Sequence, residues 1–209
     1  MFILLTDVLR CPRCGPEFGL VALADRVEER RVVEGRLGCS NCREQFPVRG
    51  GVADLRTGPV EAPTPSAPSA DRQEAAVRIA ALLGLAQPGG TVLVAGPGAL
   101  LAPDLAPLAA GTEFVALLPA PAGGAGEGVT RMAVGPRLPF ADRSVRAMAL
   151  TGGADDVALA EALRVVAPGG RVMVEGAGPE VAAAFVAAGA EVLLEQDGVV
   201  LARVIGPGR

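Results

Sequence analysis

Two cysteine pairs constrain this chain more than any other feature. They are Cys11-Pro12-Arg13-Cys14 and Cys39-Ser40-Asn41-Cys42, with 24 residues between them and no cysteine later. A CxxC places two thiolates on one tight turn. Two such turns brought together form the tetrahedral sulfur cage that Zn²⁺ prefers. Gly15, Ser40 and Asn41 beside the thiols let the backbone bend round a metal. The spacing predicts a ribbon holding structural zinc on Cys11, Cys14, Cys39 and Cys42. Four thiolates leave no open coordination position for a substrate. Iron fits the same ligand set. The competing reading, two disulfides, needs an oxidising compartment. Residues 1–10 carry an early Asp7 and no basic region ahead of their short apolar run, unlike a signal peptide. A cytoplasmic location is expected.

The 209 residues allow one ordinary domain plus a small one, and the net charge of −4 gives no overall attraction to nucleic acid or anionic lipid. Arg26, Arg30, Arg31, Arg36, Arg43, Arg49 and Arg56 lie in or near the ribbon. They are offset by Glu17, Glu28, Glu29, Glu34 and Glu44. A solvated mixed surface accounts for them, with RNA contact as the alternative. An uncharged run over residues 79–103 is long enough to suggest a membrane span. Turn residues at 87–90 and 96–98 cut it into a helix, a turn and a buried strand, so no membrane span is expected. His, Tyr, Trp and Lys are absent. That excludes a His or Lys general base, a His metal ligand and a Ser-His-Asp triad, and it leaves Phe as the only aromatic for base stacking.

Three segments follow. Residues 1–56 form the ribbon, with short strands expected at 20–24 and 31–37 and a last strand closing near residue 55. Residues 57–70, rich in Pro, Ala and Ser, read as a semi-extended linker. Residues 71–209 alternate between helices and apolar strands. Helices are expected at 71–85, 155–166 and 179–188, and strands at 91–95, 113–118, 129–134, 145–150 and 171–175. A hairpin over 191–204 turns at Gln196-Asp197-Gly198. Apolar strands separated by helices imply a parallel sheet covered on both faces.

The first segment resembles the Trm112-like zinc-ribbon family. The residues that carry this are those from Leu5 to Cys14, from Leu37 to Cys42 and from Phe46 to Leu55. The resemblance implies a ribbon that binds and stabilises a methyltransferase subunit. The third segment resembles a class I S-adenosylmethionine-dependent methyltransferase domain. It does so through residues 92–100 (first strand and cofactor loop), 138–148 (leading into the fourth strand) and 161–171 (helix and turn before the fifth). The fold class expected is therefore α/β. It comprises a Rossmann-like, methyltransferase-type mixed sheet, mostly parallel with an antiparallel C-terminal hairpin, plus a small N-terminal zinc-ribbon β domain.

S-adenosylmethionine carries an ammonium, a carboxylate, two ribose hydroxyls and an adenine amine, each of which must be paired when buried. The resemblance implies polar groups for them at the strand ends. Here Val94, Leu100, Leu117 or Leu118, Gly135-Pro136 and Arg146 occupy the expected positions, and Gly96 and Gly98 alone remain as candidate cofactor-binding residues. At about 1–3 kcal/mol per unsatisfied group, affinity falls by several powers of ten. The expectation is a pseudoenzyme with no catalytic residues, acting as a binding or scaffold subunit with a protein partner. An active methyltransferase with an atypical pocket and an RNA-associated module are the alternatives. Phe2, Ile3, Leu4 and Leu5 are candidate partner anchors, or else form a strand that closes the ribbon against the chain's own C-terminal domain. Asp155-Asp156 reads as a helix cap or as a cation or base site, Asp142 as a turn residue, and 122–128 as a loop.

Overall fold

The ribbon is built on a long two-stranded hairpin whose alternating side chains bury one face. In the computed structural model, which describes residues 1–58, 71–124 and 126–206, a 3₁₀ turn at Ile3–Asp7 leads into β1 (Arg10–Cys11), β2 (Gly15–Glu28), β3 (Arg31–Cys39), β4 (Gln45–Arg49) and β5 (Val52–Asp54). The hairpin strands run beyond the expected 20–24 and 31–37 because β2 and β3 pair from Leu20↔Cys39 out to Glu28↔Arg31, with two register shifts. Most of the expected linker, residues 59–70, lies outside the described residues.

The third segment opens with α1 (Arg72–Leu83). Asp71 caps it by accepting from the Gln73 and Glu74 amides, and Gly84 ends it in the left-handed conformation. Then come β6 (Thr91–Ala95), a 3₁₀ segment at Gly96–Leu101, α2 (Ala102–Leu105), a further 3₁₀ turn at Ala106–Leu108, β7 (Glu113–Leu118), β8 (Val129–Ala133) and β9 (Val145–Thr151). The chain finishes with α3 (Asp156–Val165), β10 (Val166–Glu175), α4 (Glu180–Ala187), β11 (Glu191–Gln196) and β12 (Val199–Arg203). The expected turn at 168–170 is a bulge inside β10. There the pairing with β9 jumps from Val166↔Val145 to Arg171↔Ala147.

The twelve strands of the described residues form one sheet, in the order β1-β2-β3-β4-β5-β8-β7-β6-β9-β10-β12-β11. Strands β5, β8, β7, β6, β9 and β10 run parallel to their neighbours in that row, and the hairpin β12–β11 closes one edge antiparallel. The ribbon and the methyltransferase-like strands are thus continuous through β5 and β8, with Val52↔Arg131, Ala53↔Met132 and Asp54↔Ala133 in register.

Along β6, Val92 and Val94 point to one face and Leu93 to the other. The first face packs against α1 and the 96–108 segment through Ile79, Leu83, Leu101 and Leu105. The second packs against α3 and α4 through Leu159, Val165 and Phe185, and in the same apolar cluster against Leu5, Leu37 and Phe46 of the ribbon. No helix lies between β7, β8 and β9 among the described residues, and ribbon side chains cover that part of the sheet. Two further seams fasten the ribbon. Leu9 and Phe140 form an antiparallel bridge, flanked by hydrogen bonds from Arg10 N–H to Pro139 (3.0 Å) and from Ala141 N–H to Val8 (2.8 Å).

The third seam is ionic. The Arg31 guanidinium grips the Glu113 carboxylate with two bonds of 3.0 and 2.8 Å, and Thr130 Oγ1 donates to the same carboxylate at 2.6 Å. Both charged side chains are largely buried, 12% and 9% exposed. Arg31 is therefore a clamp and not part of the solvated surface expected from the charge count. Phe2, beneath the Arg30 and Arg31 guanidinium groups at 5.5 Å, gives its amide N–H to Thr130 Oγ1. Of the four candidate anchors, Leu5 is buried in the apolar cluster and Leu4 is exposed. No helix among the described residues is long and apolar enough to cross a membrane.

Candidate functional site

The four cysteines converge. Cys11 ends β1, Cys39 ends β3, and each turn folds its second cysteine back toward its first. All four Sγ atoms lie within 4.8 Å of one another, with Cys11–Cys42 and Cys14–Cys39 both at 3.8 Å. A tetrahedron of thiolates about 2.3 Å from a metal has edges of about 3.8 Å. A disulfide needs about 2.05 Å, and the cysteines are free. Burial pushes the Cys11 thiol up to about 12. Burial also pushes Cys39 up, but the amides of Cys42 and Asn41 and the neighbouring thiols outweigh it and bring it down to about 7. Asn41 Nδ2 donates to Cys14 Sγ at 3.3 Å. The donor set, its spacing and its backbone donors suit a metal ion.

A second site lies where the chain reverses direction across the sheet. β6 leads out to β7 and β8, and the chain then returns to β9 on its other side. Clefts form outside the carboxyl ends of strands at such a switch point. Here the cleft has a volume of about 710 Å³ and is bounded by Ala95 at the end of β6, Gly96 after it, Leu117 of β7, Val134 after β8 and Leu150 of β9.

Gly96 lines the cleft and Gly98 is buried in the loop behind it, and their reason for being glycine is internal. A Cβ on Gly96, whose φ is +75°, would lie 1.8 Å from the Thr151 carbonyl oxygen; one on Gly98 would lie 2.7 Å from Thr151 Cγ2. Thr151, at the end of β9, ties the loop down. Its hydroxyl accepts from Gly98 N–H at 2.6 Å and donates to the Ala95 carbonyl at 2.8 Å. After this loop no long helix follows. Pro97, Pro103 and Pro107 break the segment into 3₁₀ turns and a four-residue helix.

The cleft's two carboxylates are also engaged. Asp155 caps α3 by accepting from Ala158 N–H at 2.8 Å, as the helix-cap reading of that residue anticipates. Glu161 accepts from Arg164 and from Leu138 N–H at 2.7 Å. Burial alone would push the Glu161 carboxyl up; the bonds from Arg164 and Leu138 outweigh it and hold it below the usual carboxylate range. Asp142, in its turn, pairs with the same Arg164.

Of the replaced positions, Leu117 lines the cleft together with Gly135 and Pro136. Val94 is fully buried on the helix-covered face. Arg146 sits at the other end of β9, where it donates to the carbonyls of Gly84, Gln87 and Gly89. Its exchange for an acid therefore bears on the packing of those loops and not on the cleft. Thr151 and the Arg31–Glu113 pair were not identifiable from sequence, since only tertiary contact gives them roles.

Residues 3–51 match the family model described as Trm112p-like protein. The N-terminal segment is Trm112-like. Comparison with curated proteins returns no match. Among solved structures, geranyl diphosphate methyltransferase in complex with GPP and sinefungin is 14% identical, with a TM-score of 0.52 covering 63% of this chain and 78% of that one. The same enzyme in complex with SAM is 12% identical, with a TM-score of 0.51 over 64% and 85%. The [4+2]-cyclase SpnF is 17% identical, with a TM-score of 0.51 over 69% of this chain and 66% of that one. These likenesses show a methyltransferase fold, to which the Trm112-like segment is fused.

Proposed function

We propose that the protein is a non-catalytic binding or scaffold subunit in which a Trm112-like ribbon, stapled by structural zinc on Cys11, Cys14, Cys39 and Cys42, is joined to a pseudo-methyltransferase domain. One observation carries this reading. The polar groups in and beside the cleft that could meet a charged cofactor are largely engaged within the protein itself: the Gly98 N–H on Thr151, Glu161 on Arg164 and the Leu138 amide, and one oxygen of Asp155 on the start of α3. No acidic residue ends β7, where Leu117 and Leu118 are buried. Gly96 and Gly98 are in this reading packing glycines. The partner is another protein of the assembly, and the free thiols suit a reducing compartment such as the cytoplasm.

Calorimetric titration of metal-loaded protein with S-adenosylmethionine tests the proposal. Absence of binding in a folded sample of measured zinc content is the expected result. Micromolar binding overturns it in favour of an active methyltransferase with an atypical pocket, a reading that the open cleft at the strand ends favours. Titration with single-stranded RNA at low salt separately tests the RNA reading, which requires binding that weakens steeply as salt rises.

A further inference from the structure

We infer that the cleft at the carboxyl ends of β6, β7 and β9 is a binding site for an uncharged, largely apolar small molecule. The inference rests on the preceding reading that S-adenosylmethionine does not occupy this cleft. Its volume of about 710 Å³ falls in the range of about 300–1,000 Å³ typical of small-molecule sites. Its walls come from Leu117, Val134, Pro136, Leu138, Met148 and Leu150, which β7, β9 and the loop between β8 and β9 bring together.

Charge then selects the ligand. Asp155 and Glu161 are the ionisable residues lining the cleft among the described residues, and both are acids on the α3 side; Arg137, in the loop between β8 and β9, is exposed and sets its guanidinium beside Gly15 of the ribbon. A phosphate, carboxylate or sulfonate entering here would lose its water without gaining a cation. Arg164 does not relieve this, because Glu161 and Asp142 already hold its guanidinium. A compact cation would have to compete with Arg164 for Glu161. What remains is a neutral body, hydrocarbon or isoprenoid in character, bearing at most hydroxyl groups. One such hydroxyl can donate to Asp155, whose exposed carboxylate accepts one hydrogen bond among the described residues, from Ala158 N–H.

The test uses the full-length, metal-loaded protein and a matched pair of fluorescent probes: neutral N-phenyl-1-naphthylamine and its sulfonated, anionic analogue. Saturable one-to-one binding of the neutral probe, at least tenfold tighter than that of the anion, is expected. Ala158→Arg places a long cationic side chain in the cleft and is expected to weaken the neutral probe by tenfold or more. Val186→Arg, at an exposed apolar residue of α4, is expected to leave it unchanged. Equal affinity for the two probes, or neutral-probe binding that Ala158→Arg leaves intact in a folded sample, overturns the inference. S-adenosylmethionine displacing the probe at micromolar concentration overturns both this inference and the scaffold reading. If neither compound binds, this inference fails and the scaffold reading stands.

Discussion

Gly96 tolerates no side chain. Its φ of +75° already disfavours L residues, and a Cβ would run into the Thr151 carbonyl. Gly96→Ala should cost about 1–3 kcal/mol from overpacking alone, with backbone strain added, read as a lower urea midpoint at unchanged slope. Thr151→Val keeps the shape but leaves the Gly98 N–H and the Ala95 carbonyl without their partner, a loss of about 1–3 kcal/mol. If both variants keep wild-type stability, the loop is not held by this contact. Glu161 makes a pH-dependent contribution. Its folded carboxyl is held below its ordinary value, so its stabilisation is full above the unfolded range near pH 4.3 and is lost as pH falls through the depressed folded value. Glu161→Gln should therefore cost about 1.5–3 kcal/mol at neutral pH, and the gap from wild type should close in acid. A gap that stays constant down to the acid transition would show that the Arg164 pair contributes nothing electrostatic.

At the scale of elements, the Arg31–Glu113 clamp joins the start of β3 to the start of β7. Removing one partner leaves the other buried and unpaired. Glu113→Ala should therefore destabilise the protein by about 3–5 kcal/mol. The double variant Arg31→Met/Glu113→Leu should lose less than the sum of its single changes, because no orphan charge remains. Additive losses in a double-mutant cycle would reduce the pair to two independent contacts. The broken segment after β6 belongs to the same scale. Its prolines were visible in the sequence, yet where the chain turned after each of them was not, because 3₁₀ and α turns differ by little energy and packing chose between them.

For the molecule as a whole, one sheet and one apolar cluster run through both segments. The ribbon contributes a strand neighbour for β8 and side chains that cover the sheet where helices are missing. Removing metal should consequently destabilise more than the ribbon. Free energy of metal binding is folding free energy, and with a shared core a strong chelator should lower a single thermal midpoint of far-ultraviolet dichroism. A loss confined to the ribbon, with the third segment unfolding separately at its original temperature, would mean that the ribbon and the third segment are energetically independent. The same continuity limits the ribbon as a dock for other proteins: Leu5, Leu9 and Val52 are buried within this chain, leaving Leu4, Val21, Leu23 and Val27 as its exposed apolar residues.

The sequence by itself determined the metal cage, because ligand chemistry and CxxC spacing are local properties that survive any arrangement of the rest. It also determined the strands of the parallel sheet, since strands buried on both faces must be apolar throughout: β7 is buried at every residue, with Glu113 as its clamped exception in charge. The tertiary structure alone decided how the segments join. Backbone pairing between β5 and β8 links residues 52–54 to residues 131–133, and nothing in a strand's composition names its neighbour. It alone gave Thr151 and Arg31 their roles, because a hydroxyl or guanidinium acquires meaning from the group brought opposite it. It also separated two kinds of replaced position that look alike in sequence. Leu117 faces the cleft, whereas Arg146, at the far end of its strand, holds loops away from it. Position along a strand, and hence distance from the cleft, is set by register, which is fixed only when the strands have paired.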